Sequence, residues 1–213
     1  MQNLDPQRRD ERLAELDFSN DLFHLALDLA AEDVRRCTDM DAPSMRGTTF
    51  WSRTNRYLAE QLIPLGWERT ARDNILRMIH PDRSHVVTAI SAAGGVGDLK
   101  ATVRSKNPKG PKMARVVEMN VQLAVMTRDE VRWGRELEEM PTWCLLYKWD
   151  KDKGALAAEL SLPVKMNGAF VDEWLERIPL DLPGLDGPGV DVALLDDPGD
   201  GDSPLVMVEF LGR

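Results

Sequence analysis

Glycine and lysine meet in one stretch of the chain. From Ser91 to Arg115 it reads SAAGGVGDLKATVRSKNPKGPKMAR. Glycines stand at 94, 95, 97 and 110, and prolines at 108 and 111. Cations stand at Lys100, Arg104, Lys106, Lys109, Lys112 and Arg115, opposed only by Asp98. A glycine-rich turn can aim several backbone N–H groups at one anion, and neighbouring lysines add charge there. The chemistry these residues suit is the binding of phosphate or another anion. It is not that of a nucleotide-hydrolysing phosphate loop, which needs Gly-Lys followed by Ser or Thr at the start of a helix. Here Lys100 is followed by Ala101, and Pro108 and Pro111 obstruct an early helix.

A second set of residues points to metal-assisted hydrolysis. Nucleases hold Mg²⁺ with acidic groups on a hairpin and keep a lysine close by to stabilise charge or activate water. Asp150, Asp152 and Glu159, with Lys165 downstream, are the candidates. Their spacing departs from the acid, spacer, Asp/Glu-x-Lys arrangement, because Ser161 stands where the lysine belongs. Farther on, Asp196, Asp197, Asp202 and Glu209 repeat the theme with Leu211 at the lysine place. The turn DDPGDGD has the composition of a calcium loop but not its twelve-residue spacing and closing glutamate. Carboxylates in turns are ordinarily solvated turn formers, so no resident metal or cofactor is expected. Mg²⁺ belongs only to the nuclease alternative, with Asp150, Glu159 and Lys165 as its catalytic set.

Nucleophilic catalysis has no readable constellation. The three histidines, His24, His80 and His85, form no ligand motif, although His80 and His85 flank one turn and can face each other. Cys37 and Cys144 lie far apart in apolar surroundings and read as two free thiols of a reducing compartment.

The elements that must position these residues follow from periodicity and punctuation. Residues 1–16 are polar and charge-rich, a flexible N-terminal segment with room for one short helix. Ser19 caps a helix over 20–38, with Leu22, Leu25, Ala26, Leu29, Ala30, Val34 and Cys37 at helical spacing. Thr48 or Thr49 opens a second helix, on which Trp51, Asn55, Leu58 and Leu62 share a stripe, and Pro64 and Gly66 end it. NILRMIH and HVVTAISA form a hairpin around PDRS and feed into the basic loop at 93–112. Pro111 suits the first turn of a further helix, and Thr127 with Glu130 caps a short acidic one that Pro141 ends. WCLLYKW and ALAAELSL flank DKDKG as the clearest hairpin. Asn167 caps a helix over 168–178, and 190–195 with 204–210 make a third hairpin.

The net charge of −9 is unevenly spread. Residues 1–45 carry −6, residues 46–128 carry +8, and residues 129–213 carry −11. A basic centre between acidic ends suits a polyanion surface, or else pairing of the centre with the ends. No apolar run approaches the ~18 residues of a membrane span, and the first residues hold no hydrophobic signal core. The expectation is therefore a cytoplasmic α+β protein, one domain over 17–213. Its largely antiparallel sheet is built from three β-hairpins, with four or five helices. Its leading function is non-catalytic, a module that engages a polyanion, nucleic acid foremost, through Lys100, Arg104, Lys106, Lys109, Lys112 and Arg115. Besides the nuclease, the alternative is a protein–protein adaptor or oligomer subunit whose acidic and basic faces pair between chains.

Overall fold

The structure is a computed structural model, and it describes residues 5–72, 75–125, 140–150 and 155–185. The capped segment 127–140 and the hairpin of 190–210 therefore lie largely or wholly outside the described residues. Three helices come first: α1 (Pro6–Ala14), α2 (Asn20–Val34) and α3 (Met45–Leu62). They are followed by β1 (Glu68–Thr70), β2 (Arg77–Ile79), β3 (Val86–Gly94) and β4 (Val103–Ser105). Then come α4 (Pro111–Val125), β5 (Thr142–Asp150), β6 (Ala155–Asn167) and β7 (Phe170–Pro179). The class is mixed α+β.

The N-terminal stretch contains real structure. Asp5 accepts a bond from the Gln7 amide and Pro6 sits in the first turn, both favourable where helix N–H groups lack partners. Leu13 is fully buried, and Arg12 grips Glu176 of β7 with two bonds, 2.7 and 2.9 Å. On α2 the Ser19 hydroxyl accepts from the Leu22 amide as the sequence predicts. The buried face is Phe23, Ala26, Leu27, Ala30, Ala31 and Val34. That is a rotation from the expected stripe, and Leu25 is left 46% exposed. The rotated face wins because it buries an aromatic ring: Phe23 packs on Phe18 at 5.1 Å. On α3 the same happens. Phe50 enters the core beside Tyr147, and Trp51, expected on the inner stripe, is 37% exposed. The helix also starts earlier than the threonine caps predicted, at Met45.

The seven strands make an open, mostly antiparallel sheet in the order β1-β2-β3-β5-β6-β7, with β4 paired to the far end of β3. One pair, β3 with β5, is parallel, with Val86 opposite Thr142. Alternation along the strands gives the sheet two faces. Val87, Ala89, Leu145, Tyr147, Ala158, Leu160 and Ile178 lie under α2 and α3. Ile90, Ala92, Cys144 and Leu146 look the other way and are covered by Val96 and Val103. Helix α4 adds Met113 and Val117 against Val171 of β7. Its buried Asn120 donates to the carbonyls of Thr142 (3.1 Å) and Pro163 (2.9 Å) and accepts from the Thr142 amide (2.9 Å). One side chain thus rivets α4 to two strands.

Two expectations are corrected here. Residues 168–178 are not a helix. They form β7, reached from β6 through a turn at Gly168, whose φ is 58°. Their apolar residues fit either period, and pairing with β6 decides the matter. The stretch expected as one basic loop over 93–112 contains a strand, since Val103–Ser105 pairs with Ala92–Gly94 as β4. Among the described residues no helix is long and apolar enough to cross a membrane.

Candidate functional site

The glycine-rich stretch is a tight closed loop between β3 and β4. The Gly95 amide donates to Thr102 (3.0 Å), Asp98 to Gly95 (3.1 Å), and Ala101 to Asp98 (3.1 Å), all at carbonyls. The Lys100 amide donates to the Asp98 carboxylate at 2.9 Å. Two glycines allow the closure. A Cβ on Gly94 would sit 2.2 Å from the Thr102 oxygen, and one on Gly95 would sit 2.1 Å from the Ala101 Cβ.

This loop reverses the expected polarity. The amides of Gly95, Gly97, Asp98, Lys100 and Ala101 are bonded within the protein. An anion nest needs such amides turned outward. Instead the loop turns carbonyls toward cations. Arg177 of β7 donates to Ala101 (2.8 Å), Asp98 (3.1 Å) and Gly95 (3.3 Å), all at backbone oxygens. Lys148 of β5 donates to the Gly94 carbonyl at 3.0 Å.

Glu159 completes the arrangement. It is 0% exposed and meets Arg177 through two bonds, Nε to Oε1 at 2.8 Å and Nη2 to Oε2 at 2.7 Å. The Ser161 hydroxyl donates to Oε1 and the Gly97 amide to Oε2, each at 2.8 Å. A buried carboxylate is tolerated only when paired and fully hydrogen-bonded, and this one is both. The fork of Arg177 supplies the match that a lysine could not.

From this clasp the chain runs out as a cationic strap. Lys100 is exposed. Arg104, on β4, is exposed and lies over the Phe170 ring at 4.6 Å. Lys106 and Lys109 are half-buried, with their amides bonded to the carbonyls of Ser91 (3.0 Å) and Ala169 (2.6 Å). Lys112 and Arg115 are exposed near the start of α4, whose first turn carries no acidic residue. The six cations thus follow one another along a strap fixed at its backbone, ending on a helix N-terminus whose dipole has the same sign.

Of the nuclease alternative, Glu159 and Lys165 stand apart. Glu159 is enclosed by Arg177 and Ser161. Lys165 lies six positions along the same strand, ~20 Å by strand rise, where it is exposed and paired with Glu173. Asp150 lies at the far end of β5, opposite Ala155, whereas Glu159 pairs with Leu146. Among the described residues no three His, Cys, Asp or Glu side chains converge as metal ligands would.

The two histidines do meet. His80 and His85 stack at 4.7 Å, and His80 faces Asp17 (2.9 Å) and Asp82 (2.5 Å) through its two nitrogens. Burial, reinforced by His80, pulls the His85 imidazole down to about 4.

Arg177 is the residue of this clasp that sequence reasoning missed. It fell inside the helix expected over 168–178, which gave it no partner. The Asn167–Gly168 pair, a strong hairpin signal, was the cue that would have put 170–179 in a strand. No protein family, curated protein or solved structure matches the chain.

Proposed function

We propose that this chain is a non-catalytic module that binds a polyanion, nucleic acid foremost, along the strap from Lys100 to Arg115. One observation carries the reading. Lys100, Arg104 and Arg115 are exposed and make no ion pair among the described residues, although acidic residues outnumber basic ones in the chain as a whole. Cations without an ion pair among the described residues repel one another, and a polyanion relieves that repulsion while releasing its own counterions.

The backbone supports the same reading. A strap already ordered loses less conformational freedom on binding than a floppy tail. The described strap offers charge and one guanidinium stacked on an aromatic ring, so contacts run to the phosphate backbone and sequence readout is not expected.

Fluorescence anisotropy with labelled single- and double-stranded DNA and RNA across a salt series tests this. Affinity should fall as salt rises. The triple change Lys100→Ala, Arg104→Ala and Arg115→Ala should weaken binding and flatten the logarithmic salt slope by ~0.9 for each duplex phosphate left unneutralised. Unchanged binding by the triple variant, or no binding at low salt, would overturn the assignment. Salt-sensitive association of the chain with itself or with a protein, without nucleic acid, would favour the adaptor reading.

A further inference from the structure

We infer that Glu159 and Arg177 are the positioning residues of this surface, setting from inside the sheet where the strap's cations stand. The inference rests on the polyanion-binding reading and says how that surface is made. Strand β7 touches the strap at successive places. Phe170 lies under Arg104, and the Val171 amide donates to Ser105 Oγ at 3.2 Å. The Trp174 indole donates to the Val103 carbonyl at 2.9 Å, and Arg177 holds the Ala101, Asp98 and Gly95 carbonyls. The strap is therefore laid out against a rigid strand. Of the hydrogen bonds among these contacts only those of Arg177 are charge-assisted, and Glu159 holds that guanidinium in orientation with a bidentate grip.

The arrangement explains why a buried charge pair sits beneath a flexible-looking sequence. Three glycines leave residues 94–97 many conformations in the unfolded chain. Three carbonyls on one guanidinium and one amide on one carboxylate select a single closed form. Lys100 then projects from the closed turn, and Arg104 from the strand that follows. Weakening the clasp leaves the number of cations unchanged but lets their positions scatter, so binding must order them again.

Two variants test this, each measured beside the triple cation variant. Glu159→Gln removes the charge at nearly constant shape. Gly95→Ala disturbs the loop from the outer side, where its new methyl would meet Ala101, and leaves the buried pair chemically intact. Both should bind labelled duplex DNA about tenfold more weakly, the scale of one or two residues ordered anew. The salt slope should stay that of the wild type, because every cation is retained. Amide exchange should quicken at residues 95–105 and not in α2 or α3. A role in global stability alone would leave the affinity of the folded protein unchanged. If Glu159→Gln does not fold, Gly95→Ala decides. Wild-type affinity in Gly95→Ala, with binding abolished in the triple cation variant, overturns the positioning role and leaves the surface standing. Wild-type affinity in the triple variant overturns the surface, and the positioning role with it.

Discussion

Replacing Glu159 with Met, Arg177 with Met, and then both, measures how the clasp is held together. The first change strips Arg177 of its counter-charge and leaves the Ser161 hydroxyl and the Gly97 amide without their acceptor. Arg177 keeps three carbonyls, so its guanidinium is still partly satisfied. Breaking a buried pair from one side costs ~3–5 kcal/mol, and the retained carbonyls put this variant near the lower end. The second change is harsher. It leaves a carboxylate of 0% exposure with one hydroxyl and one amide, so its cost belongs near ~5 kcal/mol. The double variant leaves no charge behind. The loop carbonyls can turn to water, only the Ser161 hydroxyl and the Gly97 amide stay without their acceptor, and the cost should be ~2 kcal/mol. The cycle is then non-additive by several kcal/mol, with the double variant more stable than either single one. Equilibrium urea unfolding at constant m-value reads all four stabilities. Additive costs, or a Glu159→Met variant within ~1 kcal/mol of wild type, would refute the premise that these charges are desolvated and paired.

Asn120→Ala removes three bonds between α4 and the strands and orphans buried backbone groups, so it should cost ~2–4 kcal/mol in the same assay. His85 gives the protein an acid-sensitive limb. Its folded value lies near 4 against 6.5 for the free group, so the unfolded chain takes up a proton that the folded chain refuses. Its contribution is complete above about 6.5 and disappears as pH falls toward about 4, by up to ~3 kcal/mol. His85→Asn should flatten the difference in stability between neutral pH and pH ~5, and an unaltered difference would count against it. Burial pushes the Cys144 thiol up to about 12, whereas Cys37 is only half-buried. A thiol-specific reagent at mildly alkaline pH should label Cys37 alone in the native protein and both in denaturant.

Much of the fold was legible where local signals were strong. Ser19 announced its helix, Pro111 opened another, and the runs WCLLYKW and ALAAELSL on either side of DKDKG gave β5 and β6. Strands of three residues, such as β1 and β4, are too short to show a period of two. The helix expected over 168–178 failed for another reason. Register shifts around Pro163 and Lys165 skew the pairing with β6, so Val171, Trp174 and Ile178 do not alternate cleanly. The site was legible only from outside. Its glycines and cations sit together in the sequence, but the Glu159–Arg177 pair spans two strands whose alignment is a tertiary fact. Without that pair the loop looked ready for an anion, when its carbonyls were already committed to Arg177.

The one parallel pair among the described strands has a consequence for the order in which the molecule assembles. Strands β5, β6 and β7 are neighbours in sequence and can zip locally, whereas β3 joins β5 only by bringing residue 86 to residue 142. Closing that distance is entropically slow. The clasp needs β7 from the local meander and the loop that follows β3, so it forms after the two halves have met. Substitutions at Gly95 or Arg177 should therefore leave the refolding arm of the chevron nearly unmoved and raise the unfolding arm. The cationic strap would then be the last part to lock on refolding and the first to open.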